Sequence, residues 1–198
     1  MPRDRQDLRR RLTAVAASQS GYFSAAQARG AGYSDSAQKY HADRGNWLRV
    51  ERGFFRLPEW PTGSYDDLAR WSLWARGRAV VSHETALAVH GLGEANPAAV
   101  HLTVPSNFRS SAPGVVLHRG LVPEDDTWEQ EGFRVTSPLR TLLDIAASNL
   151  DLDQFASALA DACAADPTLE EALRDRKRDL SARAARRLHQ ALRVAVRT

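Results

Sequence analysis

Side chains able to do chemistry gather in a few places along this 198-residue chain. Near the start, Arg9, Arg10 and Arg11 stand together. Ser36, Gln38 and Lys39 fall within four residues, and Arg49, Arg52 and Arg56 surround an Arg52-Gly53 pair. Further on, His83-Glu84 precedes His90, and His101 and His118 follow; Cys163 is the one thiol. The first group suits nucleic-acid recognition. Gln pairs bidentately with adenine, Lys reaches guanine, and Arg neutralises phosphates, which sets register and affinity rather than sequence choice. The histidines suit metal binding or proton transfer.

Spacing argues against catalysis and metal binding. His83 and His90 share one helix face but lie about 10.5 Å apart along its axis, too far for two ligands of one zinc. His101 and His118 fall on neighbouring expected strands, where they either pair across them or are simply two histidines of a polar sheet face. One cysteine builds neither a disulfide nor a cysteine-rich zinc site. No glycine-rich phosphate loop or nucleophile elbow occurs. The only lysines are Lys39 and Lys177, and neither stands in the Glu-x-Lys pattern of a nuclease. Gly63-Ser64 and Asp151-Leu152-Asp153 are too distant for a nucleotidyltransferase signature. The expectation is a non-enzyme with no cofactor and no metal.

The elements that must position the basic residues read clearly. Leu8, Leu12, Val15 and Ala16 recur at helical spacing over 5–18. Ser24 and Gln27 form a capping box for a second helix, ended at Gly30 or Gly32. Ser34 caps a third, to about Arg44, whose inward face is read as Ala37, Tyr40 and His41 and whose outward face carries Ser36, Gln38 and Lys39. LRVERGFFRLP then reads as a hairpin with its turn at Arg52-Gly53. Three helices and a hairpin within 60 residues is the order of a winged helix-turn-helix. Its second helix of the pair enters the major groove while the wing reaches phosphate or the minor groove. A helical protein-interaction module with a solvated basic surface is the alternative.

PEWPTGS, residues 58–64, reads as a linker. Beyond it come a helix from the Ser64/Asp67 box to about Arg76 and a helix after Ser82. Strands follow at 99–104, 115–118 and 133–136, then helices from Ser137 and Asp151, and a Thr168/Glu171 box opening a basic helical tail. The acidic segment PEDDTWEQEG reads as a solvated loop or as a polyanion mimic. The expected fold class is α+β: a winged helix-turn-helix at 1–60, then at 64–198 a mixed α/β domain with a small sheet and a helical C-terminus. Charge follows the same division. Residues 1–60 hold 11 Lys and Arg against 6 Asp and Glu, residues 61–165 hold 7 against 13, and residues 166–198 hold 9 against 5. A basic front module suits a polyanion, double-stranded DNA first of all. With no apolar run near 18 residues and no apolar segment after the N-terminal charges, the expected compartment is the cytoplasm, with no membrane partner.

GYFSAAQARGAGYS and GNWLRVERGFFRLP resemble the N-terminal domain of AbiEi-type antitoxins. Its wing pattern is matched by Arg49, Val50, Arg52, Gly53, Phe55, Arg56, Leu57 and Pro58. SHETALAVHGL, VHLTVP, GVVLHRG and GFRVTSPLRTLLDIA follow the order of the antitoxin domain, so the resemblance covers about residues 15–165. It implies an antitoxin of a type IV toxin–antitoxin, or abortive infection, system that confers phage resistance. Such a protein represses its own promoter at inverted repeats through the winged helix. Its C-terminal domain counteracts a separately encoded nucleotidyltransferase toxin without a stable complex. Related second-half segments also occur in longer proteins that continue into a nuclease domain, which is not carried over here. A stand-alone winged-helix regulator, with a second domain that senses or dimerises, is the other reading of the same residues.

Overall fold

The computed structural model describes residues 5–195. The chain forms two compact units. One runs to Gly77 and takes in Gln130–Phe133; the other takes Arg78–Glu129 and the residues from Arg134 onward.

In the first unit, α1 (Arg5–Ala17) is followed by β1 (Tyr22–Ser24), α2 (Ala25–Ala31), α3 (Asp35–Asp43), β2 (Leu48–Glu51), β3 (Phe54–Arg56) and α4 (Asp66–Trp74). The expected helices and hairpin are present, and β1 is an additional strand between the first two helices. Tyr22, Phe23 and Ser24 pair antiparallel with Arg56, Phe55 and Phe54, so the sheet order is β1-β3-β2. A three-residue strand is too short to show an alternation of its own. The capping box forms as read: Ser24 Oγ accepts from the Gln27 backbone, and Gln27 Oε1 accepts from the Ser24 backbone. Gly32, in the left-handed region at φ +112°, ends α2. The core holds Leu12, Ala16, Ala28 and an aromatic cluster. Phe23 meets the Trp47 ring edge-on at 4.9 Å and stacks on Phe55 at 5.7 Å.

The division of the chain falls later than the Pro/Gly-rich stretch suggests, because residues 58–74 are held to the first unit. Trp60 lies against Gly21, where an added Cβ would come within 2.4 Å of its side chain. Arg56 reaches forward to Asp66 at 2.6 Å. The Ser64/Asp67 box does not form; Tyr65 precedes α4 and no side chain caps it.

The second unit contains β4 (Val80–Val81), α5 (His83–His90), β5 (Val100–Val104), β6 (Val115–Arg119), all but the last residue of β7 (Thr127–Gln130), all but the first of β8 (Phe133–Thr136), and four helices. These are α6 (Pro138–Ala147), α7 (Leu152–Ala165), α8 (Thr168–Arg176) and α9 (Ala182–Ala195). The strand order is β6-β5-β4-β8-β7, with β4 antiparallel to β5 and parallel to β8, and with β5 parallel to β6. The loop between the parallel strands is anchored by Phe108, which is fully buried under the Arg78 guanidinium. Leu142, Ile145, Phe155, Leu159, Leu173 and Leu188 form the helical core. The tail helix buries Ala184, Leu188 and Ala191. α8 has no Thr168 cap; Asp166 accepts from the Thr168 backbone instead. The fold is thus α+β, as the element order in the sequence indicates.

Candidate nucleic-acid interface

Helix α3 starts where Ser34 Oγ accepts from the Ala37 backbone, with Asp35 in the first turn suiting the helix dipole. Its buried side is Ala37, Gln38, His41 and Ala42, not Ala37, Tyr40 and His41. Gln38 is therefore corrected from a base-reading residue to a core residue. It is 4% exposed, and its Nε2 donates to the carbonyls of Ala25 and Tyr33 at 3.2 and 3.4 Å. Those carbonyls belong to α2 and the α2–α3 turn, so Gln38 fixes the angle at which α3 leaves α2. Tyr40 takes the opposite role, standing outward at 55% exposure. A stripe at 37, 38, 41 and 42 is as regular as one at 37, 40 and 41, and residue polarity alone favours the second.

The outward face of α3 thus carries Ser36, Lys39, Tyr40 and Asp43, with Arg44 at its C-terminal end. Lys39 Nζ is ion-paired with Asp43, one helical turn on. Ser36 Oγ lies 3.0 Å from Ser34 Oγ. The Arg44 guanidinium sits over the Tyr40 ring at 5.5 Å. On the inner side, His41 stacks on Trp47 at 4.8 Å. Burial, then the nearby charge of Arg5, lowers its pKa, so the stack is of neutral rings at neutral pH.

The wing is β2 and β3. Gly53 takes φ +78° in its turn, which leaves Arg52 exposed at the tip. A register shift between Arg49 and Glu51 bulges β2, and Leu48, Arg49 and Val50 are all exposed. Arg49 lies over the Phe55 ring at 5.8 Å. Arg56 is the second correction. Its side chain is 12% exposed and is committed to Asp66, to the Pro61 carbonyl at 2.9 Å and to the Ser20 carbonyl at 3.4 Å. It also lies over the Tyr22 ring. Alternation put Arg56 on the polar face of a hairpin; the extra strand β1 and the start of α4 cover that face. On α1, Arg9 pairs with Glu59 at 3.3 Å and Arg10 with Asp7 at 2.6 Å, both with arginine side chains more than three-quarters exposed. Arg11 shares Asp7. Arg9 also lines a recess of about 440 Å³ with His41, Asn46 and Glu59, beside the end of α3.

This is a helix presenting a small polar, cationic and aromatic face beside an arginine-tipped wing. Comparison with known proteins agrees with the element order. Residues 79–191 match the AbiEi antitoxin C-terminal domain. The chain belongs to the AbiEi antitoxin family. Residues 10–58 match the family's other half, described as a transcriptional regulator, AbiEi antitoxin. The AbiEi-family chain also resembles the crystal structure of the RV2827C protein from Mycobacterium tuberculosis. The TM-score is 0.59 at 16% identity, over 93% of this chain and 77% of that one, a likeness of fold. No curated protein matches the sequence. No helix among the described residues is long and apolar enough to cross a membrane.

Proposed function

We propose that this AbiEi-family protein is a DNA-binding autorepressor and the antitoxin to a separately encoded nucleotidyltransferase toxin. The supporting observation is the exposed α3 face of Ser36, Lys39 and Tyr40 beside a wing tipped by Arg52, in the half that matches transcriptional regulators. A helix of this kind lies in the major groove, and an arginine at a wing tip reaches phosphate or the minor groove. Arg49, Arg9 and Arg10 supply backbone contacts that set register. DNA competes for Lys39 with Asp43 and for Arg10 with Asp7, exchanges between exposed partners worth at most about 1 kcal/mol each. Neutralisation belongs to the segment from residue 64 onward, which contains the antitoxin-domain match.

Fluorescence anisotropy on the upstream DNA and on a scrambled duplex, across a salt series, tests the repressor half. The expected result is preference for the upstream sequence, with log K falling by about 0.9 against log salt for each phosphate neutralised. Equal affinity for both duplexes overturns it. Co-expression with an adjacent nucleotidyltransferase gene tests the antitoxin half. The full chain carrying Lys39→Ala and Arg52→Ala is expected to rescue growth although it no longer represses. Failure of the wild-type chain to rescue leaves a stand-alone winged-helix regulator.

A further inference from the structure

The second unit brings together three histidines that lie far apart in sequence. His101 on β5 and His118 on β6 point from the same face of two parallel strands, since His101 is in register with Val116 and Thr103 with His118. The Nδ1 of His101 and the Nε2 of His118 are 3.2 Å apart. His83, the first residue of α5, lies face to face on His118, with ring centroids 3.4 Å apart and planes at 10°. All three are only partly buried, so solvent reaches the group.

The backbone makes a second, independent point. His83 has φ +53°, a left-handed conformation that L side chains seldom hold. Outliers of this kind cluster at binding sites, where the surrounding structure enforces them. The surroundings do so here. Ser82, fully buried, hydrogen-bonds the Nδ1 of His83 at 3.0 Å and accepts from Thr103 Oγ1 at 2.8 Å, and its backbone donates to the His101 carbonyl. A ligating histidine is oriented by donating its other ring N–H to a fixed acceptor; with Nδ1–H donating to Ser82 Oγ, the Nε2 of His83 is the nitrogen left free to ligate.

We propose that His101 Nδ1 and His118 Nε2 form a binding site for a first-row divalent transition ion such as Zn²⁺, with His83 turning off its stack to become the third ligand. Two nitrogens, each about 2.0–2.1 Å from a tetrahedral ion, lie about 3.3 Å from each other, close to the separation found here. Among the described residues no three such groups converge ready-made. The His101–His118 pair supplies the spacing; its two nitrogens now face each other in a hydrogen bond, so both rings tilt to aim their lone pairs at the ion while the ring of His83 turns to join them. One proton now lies between the two nitrogens. Metal binding shifts it to the other nitrogen of the same ring, so both imidazoles stay neutral and no charge is lost. The rings also arrive unprotonated. Burial, then the neighbouring histidines and Arg140, lowers the pKa of His83 to about 3. Burial, then His101, lowers that of His118 to about 4. Burial lowers His101 as well, against the opposing pull of Glu84. Imidazole must be neutral to ligate, so these protons do not compete at neutral pH.

Calorimetric titration of the untagged full chain with Zn²⁺ tests this, with Co²⁺ absorption reporting geometry. One ion per chain at micromolar affinity is expected, lost in His101→Gln and in His118→Gln and weakened about tenfold in His83→Ala. Absence of binding, or binding that survives the His101→Gln/His118→Gln double variant, overturns the proposal. Unchanged affinity in His83→Ala removes the third ligand. Histidine ring resonances of the wild-type protein guard against a variant that fails to fold. Those of His101 and His118 are expected to move during the titration, and their staying fixed also overturns it.

Discussion

Replacing Gln38 by alanine leaves the carbonyls of Ala25 and Tyr33 without its side-chain donor and opens a space beneath α3. An unsatisfied buried polar group costs about 1–3 kcal/mol. Gln38→Ala is thus expected to lower the unfolding free energy by that amount in denaturant titration, while the folded fraction keeps the wild-type sequence preference. A change in preference at one base pair, with stability intact, would return Gln38 to the groove. Arg56→Ala is the parallel case on the wing. It strands Asp66, whose side chain is equally buried, and a broken pair of that kind costs on the order of 3 kcal/mol. Chemical denaturation checks it; a loss under about 1 kcal/mol would mean the pair is solvent-screened and Arg56 is free for DNA.

At the level of elements, the wing and α3 act as one surface only if both touch the same duplex. Lys39→Ala and Arg52→Ala are each expected to weaken binding to all sequences and to reduce the slope of log K on log salt by about 0.9. Asp43→Asn frees Lys39 from its ion pair and is expected to tighten binding. Slopes that do not change in either alanine variant would move the contact surface away from these elements. The elements were themselves largely legible. Periodicity and capping residues marked the three leading helices, and the Arg52-Gly53 turn marked the hairpin, because each rests on interactions within a few residues. β7 was not, because its acidic sequence reads as loop although its partner β8 follows two residues on; nor were β1 and β4, strands of two or three residues that form only through partners distant in sequence. The same distance hid the roles of Arg56 and of the three histidines. Gln38 was misplaced for another reason. A polar side chain was assigned to solvent, and its two carbonyl partners, one of them 13 residues away, cannot be seen in a helical wheel.

The acidic segment PEDDTWEQEG contains β7 and, just before it, a carboxylate that ties stability to pH. It is neither a solvated loop nor a free polyanion throughout, because Asp126 turns inward. Its side chain, 9% exposed, accepts from Arg140 at 3.2 Å and from Arg176 at 3.2 and 3.3 Å, tying the β7 approach to α6 and α8. Burial alone would raise the Asp126 pKa; the hydrogen bonds and charges of Arg176 and Arg140 outweigh it and hold the carboxyl below its usual range. Asp144, paired with Arg140 at 2.9 Å, shifts the other way because burial dominates. A carboxyl with a depressed folded pKa stabilises the protein above its unfolded value, near pH 3.9, and that stabilisation is lost as pH falls through the folded value. Asp126→Asn is therefore expected to melt lower than wild type at pH 7, by on the order of 2 kcal/mol, and the gap is expected to close below about pH 4. Asp144 does not cancel this. Its raised pKa makes the ionised form the costly one, and part of that rise comes from the Asp126 charge, so the substitution brings Asp144 back toward its usual range and acid relieves it less in the variant. Thermal melts of the two chains from pH 3 to 7 decide the point. A gap that stays constant across the range would mean that Asp126 contributes shape rather than charge to the joint between β7, α6 and α8.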